Sequence, residues 1–240
     1  MYPFDQLRDA WDAVYASVAS VVPSSPPANR WDVDPHATWL DPTLQIGMTC
    51  GWPLIMSLRD QVRVVGTFAY ELDGTASHLY RSMIVARHAA PLQSFAGATA
   101  AINSVESLSG NVSLCTAFGV GRNEWPGPVV WSGAHVNSIA ALRRGDADIA
   151  SVDALSYAYI ARDEPALVSG LHVVGRGPAV PCLPFIVNGG ATDAELAQWR
   201  AGFQHAATDP ALGAVRRTLR IRRFVPLDLR DYDDALAPLR

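Results

Sequence analysis

Apolar positions recur at three and four residues through the first stretch of the chain. Leu7, Trp11, Val14, Tyr15, Val18 and Val22 share one helical face, which predicts a helix over 5–21 that Pro23 stops. Pro23-Ser24-Ser25-Pro26-Pro27 then reads as a surface linker. The period shortens after it. A strand is predicted over 44–48, running into the turn Thr49-Cys50-Gly51-Trp52-Pro53, with a short helix over 54–58. Strands are expected over 62–70, where the pattern alternates and is β-branched, and over 80–87.

After Pro91 the pattern restarts as strand–helix alternation. Strands are predicted at 99–103, 129–131 and 149–152, each leading into a helix, from about 109, over 134–144 and over 153–162. Strands at 171–175 and 185–188 follow. Thr192-Asp193-Ala194-Glu195 is a capping box, behind which Leu196, Trp199 and Phe203 line one helix face, and a further helix follows Pro210. Such alternation predicts an α/β protein with mostly parallel sheets. The restart near residue 90 and the late helices predict two lobes, 1–89 with 186–240 and 90–185, the last segment returning to the first lobe.

Composition narrows the function. With 49% apolar and 18% charged residues the chain has ample material for a core. A formal charge of −4 argues against a nucleic-acid partner. No run reaches the roughly 18 apolar residues of a membrane span. The opening residues carry no basic region of the signal-peptide kind, so a cytoplasmic protein is expected, or a periplasmic one if a leader was trimmed. Cys50, Cys115 and Cys182 are widely spaced and form no CxxC pair, so neither a disulfide framework nor a metal site is expected. All 19 basic residues other than histidine are arginine. That excludes a Walker-type phosphate loop and a Schiff-base lysine.

Two strand-to-helix junctions carry small hydroxyl residues and glycine: Ser107-Leu108-Ser109-Gly110-Asn111 and Ser132-Gly133-Ala134-His135. A helix start has free N–H groups and a partial positive charge, so two of them can converge on one oxyanion. The competing use of Ser107 or Ser109 is an ordinary N-cap. His135 can donate an imidazole N–H to an oxyanion or pack against a strand. Asp153 can accept a bond from a ligand hydroxyl or amine, or cap its own helix. The Thr49 hydroxyl and the Cys50 and Gly51 N–H groups can face a cleft or simply hold a tight turn around Trp52. Cys50 lacks a visible base, and no G-x-S-x-G elbow supports a hydrolase triad. The arginines at 216, 217, 220, 222 and 223 read as a solvated helix end and strand edge.

Together these strings resemble the substrate-binding proteins of phosphonate, phosphite and phosphate ABC transporters. The resemblance rests on Met1-Tyr2 before a helix, Thr49-Cys50-Gly51-Trp52-Pro53-Leu54, Leu79-Tyr80-Arg81-Ser82 and Asn103 to Gly110. Gly133-Ala134-His135, Ala150-Ser151-Val152-Asp153 and Phe224-Val225-Pro226-Leu227 complete it. It implies a type II periplasmic-binding-protein fold, two α/β lobes joined by two crossover strands, closing on a small anionic ligand without chemistry or cofactor, with an ABC permease as partner. Carried onto this chain, Ser107, Ser109, Gly110 and Asn111 clasp the phosphorus oxygens, and His135, Tyr80 and Ser132 extend that wall. Asp153 faces a protonated oxygen or the ligand's other end, and Thr49 closes the site from the first lobe. Three departures stand out: Met48 and Trp52 flank the Thr-Cys-Gly turn where Gln and Tyr are usual. Ser104 follows Asn103 where Asp is common, and Ala134 replaces a serine, removing one hydroxyl. The alternative is a cytosolic lyase-type enzyme of cofactor biosynthesis on the same fold.

Overall fold

The computed structural model describes residues 4–31, 33–72 and 74–240. Met1 and Tyr2, part of the family-like pattern, lie outside them. In chain order the elements are helices α1 (Arg8–Ala19) and α2 (Pro35–Trp39), strand β1 (Gly47–Met48) and helix α3 (Gly51–Met56). Strands β2 (Val62–Leu72), β3 (Thr75–Ser77), β4 (Leu79–Ala86) and β5 (Ala100–Ile102) follow. A π-type turn, Leu108–Val112, runs into α4 (Ser113–Ala117), then β6 (Val129–Trp131), α5 (His135–Arg144), β7 (Ile149–Val152), α6 (Ala154–Asp163) and α7 (Pro165–Val168). The chain ends with β8 (His172–Pro181), β9 (Phe185–Asn188), α8 (Asp193–Thr208), α9 (Gly213–Thr218), β10 (Ile221–Val225) and α10 (Leu229–Leu236).

These elements form two compact units. One holds residues 1–79 and 181–235, the other 80–180 and 236–240. The first unit is built on the sheet order β1-β9-β2-β10, with β3 beside β2, and every pairing recorded in it is antiparallel. β2 is central and almost wholly buried, as its run of β-branched and aromatic residues requires. Phe68, fully buried, meets Trp11, Tyr70, Phe185, Phe203 and Phe224 edge-on or tilted at 5.2–6.4 Å. The β2 bulge falls at Gly66, whose φ is +149°; a Cβ there would collide with the Val225 carbonyl and come within 2.6 Å of the Phe224 ring. Helix α8 packs on this sheet and on α1. Its capping box is complete: Glu195 N donates to Thr192 Oγ1 and Thr192 N to the Glu195 carboxylate.

The second unit has the strand order β6-β5-β7-β4-β8. Here β5 pairs in parallel with β6 and β7, while β4 is antiparallel to β7. This sheet is therefore mixed and the first antiparallel, where the alternation predicted mostly parallel sheets; parallel pairing belongs to the one place where strands are joined through helices. Ile84, Phe95, Ile102, Leu114, Trp125 and Ile149 centre its core. The connection β5–α4–β6 runs one way along the sheet and β6–α5–β7 runs back. Right-handed crossovers put the helices of two such connections on opposite faces. The connections diverge at β5, which stands between β6 and β7, and in an α/β sheet ligands lie outside the carboxyl ends of the strands at such a point.

Most predicted elements are present, with two corrections of extent. Only Gly47 and Met48 of the 44–48 run are in ladder register with β9; Leu44 N turns back to the Asp41 carbonyl, while the Leu44 carbonyl accepts Asn188 N at 3.1 Å. The helix expected over 54–58 starts at Gly51 and ends at Met56.

Candidate functional site

Ser107 resolves the capping ambiguity at the first junction. Its backbone is extended (φ −76°, ψ 118°), and its hydroxyl accepts the Gly110 N–H at 2.9 Å. The next bonds run Asn111 N to Ser107 O and Val112 N to Ser107 O, at 3.0 and 3.1 Å. This widened turn holds Gly110 tight against Asn103: a Cβ at 110 would overlap Asn103 Oδ1 and lie 3.1 Å from Ser107 Oγ. Glycine is required by packing here, not by φ.

With Ser107 committed to the cap, Ser109 is free to point elsewhere. Its Oγ lies 2.8 Å from His135 Nε2, so the two helix starts meet through one hydrogen bond. Ser109 is 5% exposed, and its carbonyl accepts the buried Ser151 hydroxyl from β7 at 2.6 Å. The N–H groups of Leu108 and Ser109 precede the first helical donor, Asn111 N, and have no partner among the described residues.

His135 keeps part of its surface exposed, yet its Nδ1 is shut from solvent without a hydrogen-bond partner among the described residues. Burial pushes its pKa below the ordinary histidine value, with the Asp153 charge working the other way. A neutral ring carries one proton. If Nε2 accepts from the Ser109 hydroxyl, Nδ1–H is an orphan buried donor. Asn103 Oδ1, against Gly110, is a second buried polar atom without a partner there. Buried unsatisfied groups each cost about 1–3 kcal/mol, so a cluster of them is a place where a ligand gains.

Other predicted residues are in the same unit but otherwise engaged. The Asn111 amide is fully buried; it donates to the Val105 carbonyl at 2.8 Å and to Asn123 Oδ1, and accepts from Cys115 Sγ. It braces the loop instead of offering a free group. The Gly110 N–H is spent on Ser107. The Ser132 hydroxyl bonds Ser138 Oγ at 2.7 Å and the Ala134 carbonyl at 3.2 Å, holding the start of α5. Ala134 is the N-cap of that helix and supplies no side-chain acceptor. Asp153, 3% exposed, caps α6 by accepting Ser156 N at 2.8 Å and lends its charge to His135. Tyr80 is buried at the start of this unit, in β4. Thr49 belongs to the other unit, where it is fully buried and its N–H bonds the Pro184 carbonyl at 3.0 Å. Asn103 was seen in sequence only as part of a string; its role against Gly110 depends on the π-type turn, which has no sequence signal of its own. No group of three or more metal-ligating side chains occurs among the described residues.

Residues 40–232 match the family model for the phosphonate ABC transporter, periplasmic substrate-binding protein. The chain belongs to this family. Its members are solute-binding components that serve a permease, and the periplasm is their place of work. Among solved structures the chain is similar to PhnD1 of Prochlorococcus marinus in complex with methylphosphonate, at 11% identity and a TM-score of 0.73, covering 96% of this chain and 92% of that one. A binding-protein component of an ABC phosphonate transporter from Pseudomonas aeruginosa gives 16% identity and 0.72, covering 98% and 80%. An arginine-specific periplasmic binding protein of Salmonella typhimurium gives 13% and 0.57, covering 85% of each. The fold is the type II periplasmic-binding-protein fold. No curated protein matches the chain. Among the described residues no helix is long and apolar enough to cross a membrane.

Proposed function

We propose that the chain binds a small phosphorus oxyanion (phosphate, phosphite or a phosphonate) without chemistry and delivers it to an ABC permease in the periplasm. The observation that carries this reading is the Ser109–His135 pair, beside a His135 Nδ1 and Leu108 and Ser109 N–H groups that have no partner among the described residues. All are neutral donors. On this reading residues 1–89 with 186–240 and 90–185 act as two lobes that close on the ligand. Thr49 and Tyr80 join Ser109 and His135 around it, and Asp153 accepts from a protonated ligand oxygen. Ser107, Gly110, Asn111 and Ser132 shape that wall.

A Ser–His contact of 2.8 Å is also the geometry of an activated nucleophile. A catalytic histidine is oriented through its second nitrogen, and here Nδ1 has no partner among the described residues, which favours binding over turnover. The test is calorimetry and thermal melting with phosphate, phosphite, methylphosphonate and 2-aminoethylphosphonate. One of them at a hundred times its Kd stabilises the fold by about 2.7 kcal/mol, and Ser109→Ala weakens that ligand at least tenfold. A panel that shifts nothing at millimolar concentration refutes the proposal.

A further inference from the structure

Residues 23–46 lie between α1 and β1 and are tied down at both ends. Tyr15 donates its hydroxyl to the Pro26 carbonyl at 2.7 Å, and Trp31 Nε1 donates to Asp12 Oδ1 at 3.1 Å. Further on, Trp39 Nε1 donates to the Met48 carbonyl at 3.0 Å and Asn188 Nδ2 to the Leu44 carbonyl at 2.9 Å. Beneath this strap is a cavity of about 570 Å³, contained entirely within the first unit. Its volume falls in the roughly 300–1,000 Å³ range of small-molecule sites. The oxyanion-site residues Ser107 to Asp153 belong to the other unit.

The walls are aromatic: Trp11, Tyr15, Trp31, Trp39, Phe185 and Phe203. The space opens to solvent on the side where Arg30, Asp41, Thr43 and Gln45 are exposed, and its floor is formed by the buried rings of Trp11, Trp39, Phe185 and Phe203. Water gains little against that floor, where the Trp39 N–H is already bonded to the Met48 carbonyl and the Trp31 N–H to Asp12. Two charged residues line the space, Arg30 and Asp41. The Asp41 carboxylate is spent on Thr43, whose N–H and hydroxyl donate to Oδ1 at 2.8 and 2.7 Å. Those two bonds hold its pKa below the usual carboxylate value, and Arg30 contributes only the smallest effect. The cavity thus offers π faces for a flat apolar body and, at its exposed side, the Arg30 guanidinium, which has no hydrogen bond or ion pair among the described residues.

We infer that this cavity is a second ligand site, for a small aromatic carboxylate whose ring lies among the tryptophans and whose carboxylate meets Arg30. It is tested on the full chain by calorimetry with 2-naphthoate as probe and 2-naphthylmethanol as its uncharged analogue. The expected result is one saturable site for naphthoate, weakened roughly two- to fivefold by Arg30→Gln, as suits a solvent-exposed ion pair. The alcohol binds more weakly to the wild type and is indifferent to that variant. Ile46→Trp, which adds bulk to the lining, abolishes binding of both while far-UV circular dichroism stays unchanged. Arg30 is exposed, so the charge arm stands even where the filling variant fails to fold. No saturable binding at millimolar naphthoate, or binding equal in wild type and Arg30→Gln, overturns the inference.

Discussion

Ala134 is the place where one added atom tests both the helix and the site. Its backbone is already that of an N-cap, with φ −151° and ψ 155°, and its carbonyl accepts Ser138 N at 3.0 Å. What it lacks is the side-chain oxygen that caps the N–H groups of Val136 or Asn137. Ala134→Ser supplies it without changing the backbone, and residue 134 is only half-buried, so the hydroxyl meets no desolvation penalty. A serine cap is worth about 1 kcal/mol over alanine, which in a chain of this length raises Tm by about 2–4 °C. The hydroxyl accepts from the helix and still has its own proton to donate. If the oxyanion sits between Ser109 and His135, that proton reaches it. A hydrogen bond to a charged ligand is worth about 1.5–3 kcal/mol, so affinity rises about ten- to a hundredfold. Urea melts, hydrogen exchange at residues 135–137 and calorimetry with the best ligand of the oxyanion panel read the effects separately. A stability change inside the ordinary surface range of about ±0.5 kcal/mol refutes the capping argument. A gain in stability with unchanged affinity places the anion away from α5 and refutes the site.

His135 links the site to pH. Its folded pKa lies below the unfolded value of about 6.5, so the unfolded chain takes up the proton first. The stability it contributes is full above that value and is lost as pH falls through it, down to the folded pKa. Urea melts across this window should show a loss that His135→Asn lacks, and equal slopes defeat the assignment. A bound anion favours the imidazolium, so anion affinity in wild type relative to His135→Asn should rise as pH falls over the same window; a ratio flat with pH contradicts it. Gly110→Ala forces a methyl into Asn103 and Ser107 and should cost about 1–3 kcal/mol, read by urea melts; an unchanged midpoint would falsify the tight turn. Phe68→Ala empties the hub of the first unit's aromatic cluster and should cost about 3–5 kcal/mol; a loss under about 1 kcal/mol would mean the cluster is not a packed core.

How far the sequence could be read depended on the range of the interactions involved. In the second unit the strand-to-helix junctions, the N-cap residues and the period of the apolar residues are all local, so Ser107 to Asp153 could be placed at helix starts from the sequence. What locality could not decide was division of labour. Ser107 and Ser109 are equivalent as caps on paper. Once Ser107 Oγ takes the Gly110 N–H, Ser109 is left to meet His135, 26 residues away. Asn111 was lost to the site in the same manner: its amide answers Val105 and Asn123, a loop demand with no periodic signature. The first unit was less legible for a related reason. Its antiparallel order β1-β9-β2-β10 joins strands more than a hundred residues apart, and alternation along the chain carries no information about such pairings. The strap over 23–46 is written in prolines, tryptophans and single side-chain bonds. Its period is neither 2 nor 3.6, so the short helix α2 and the cavity beneath it leave no trace in the pattern. Local rules thus found where the helix-start N–H and hydroxyl donors lie, and packing over distance decided which of them are spent on other groups of the second unit.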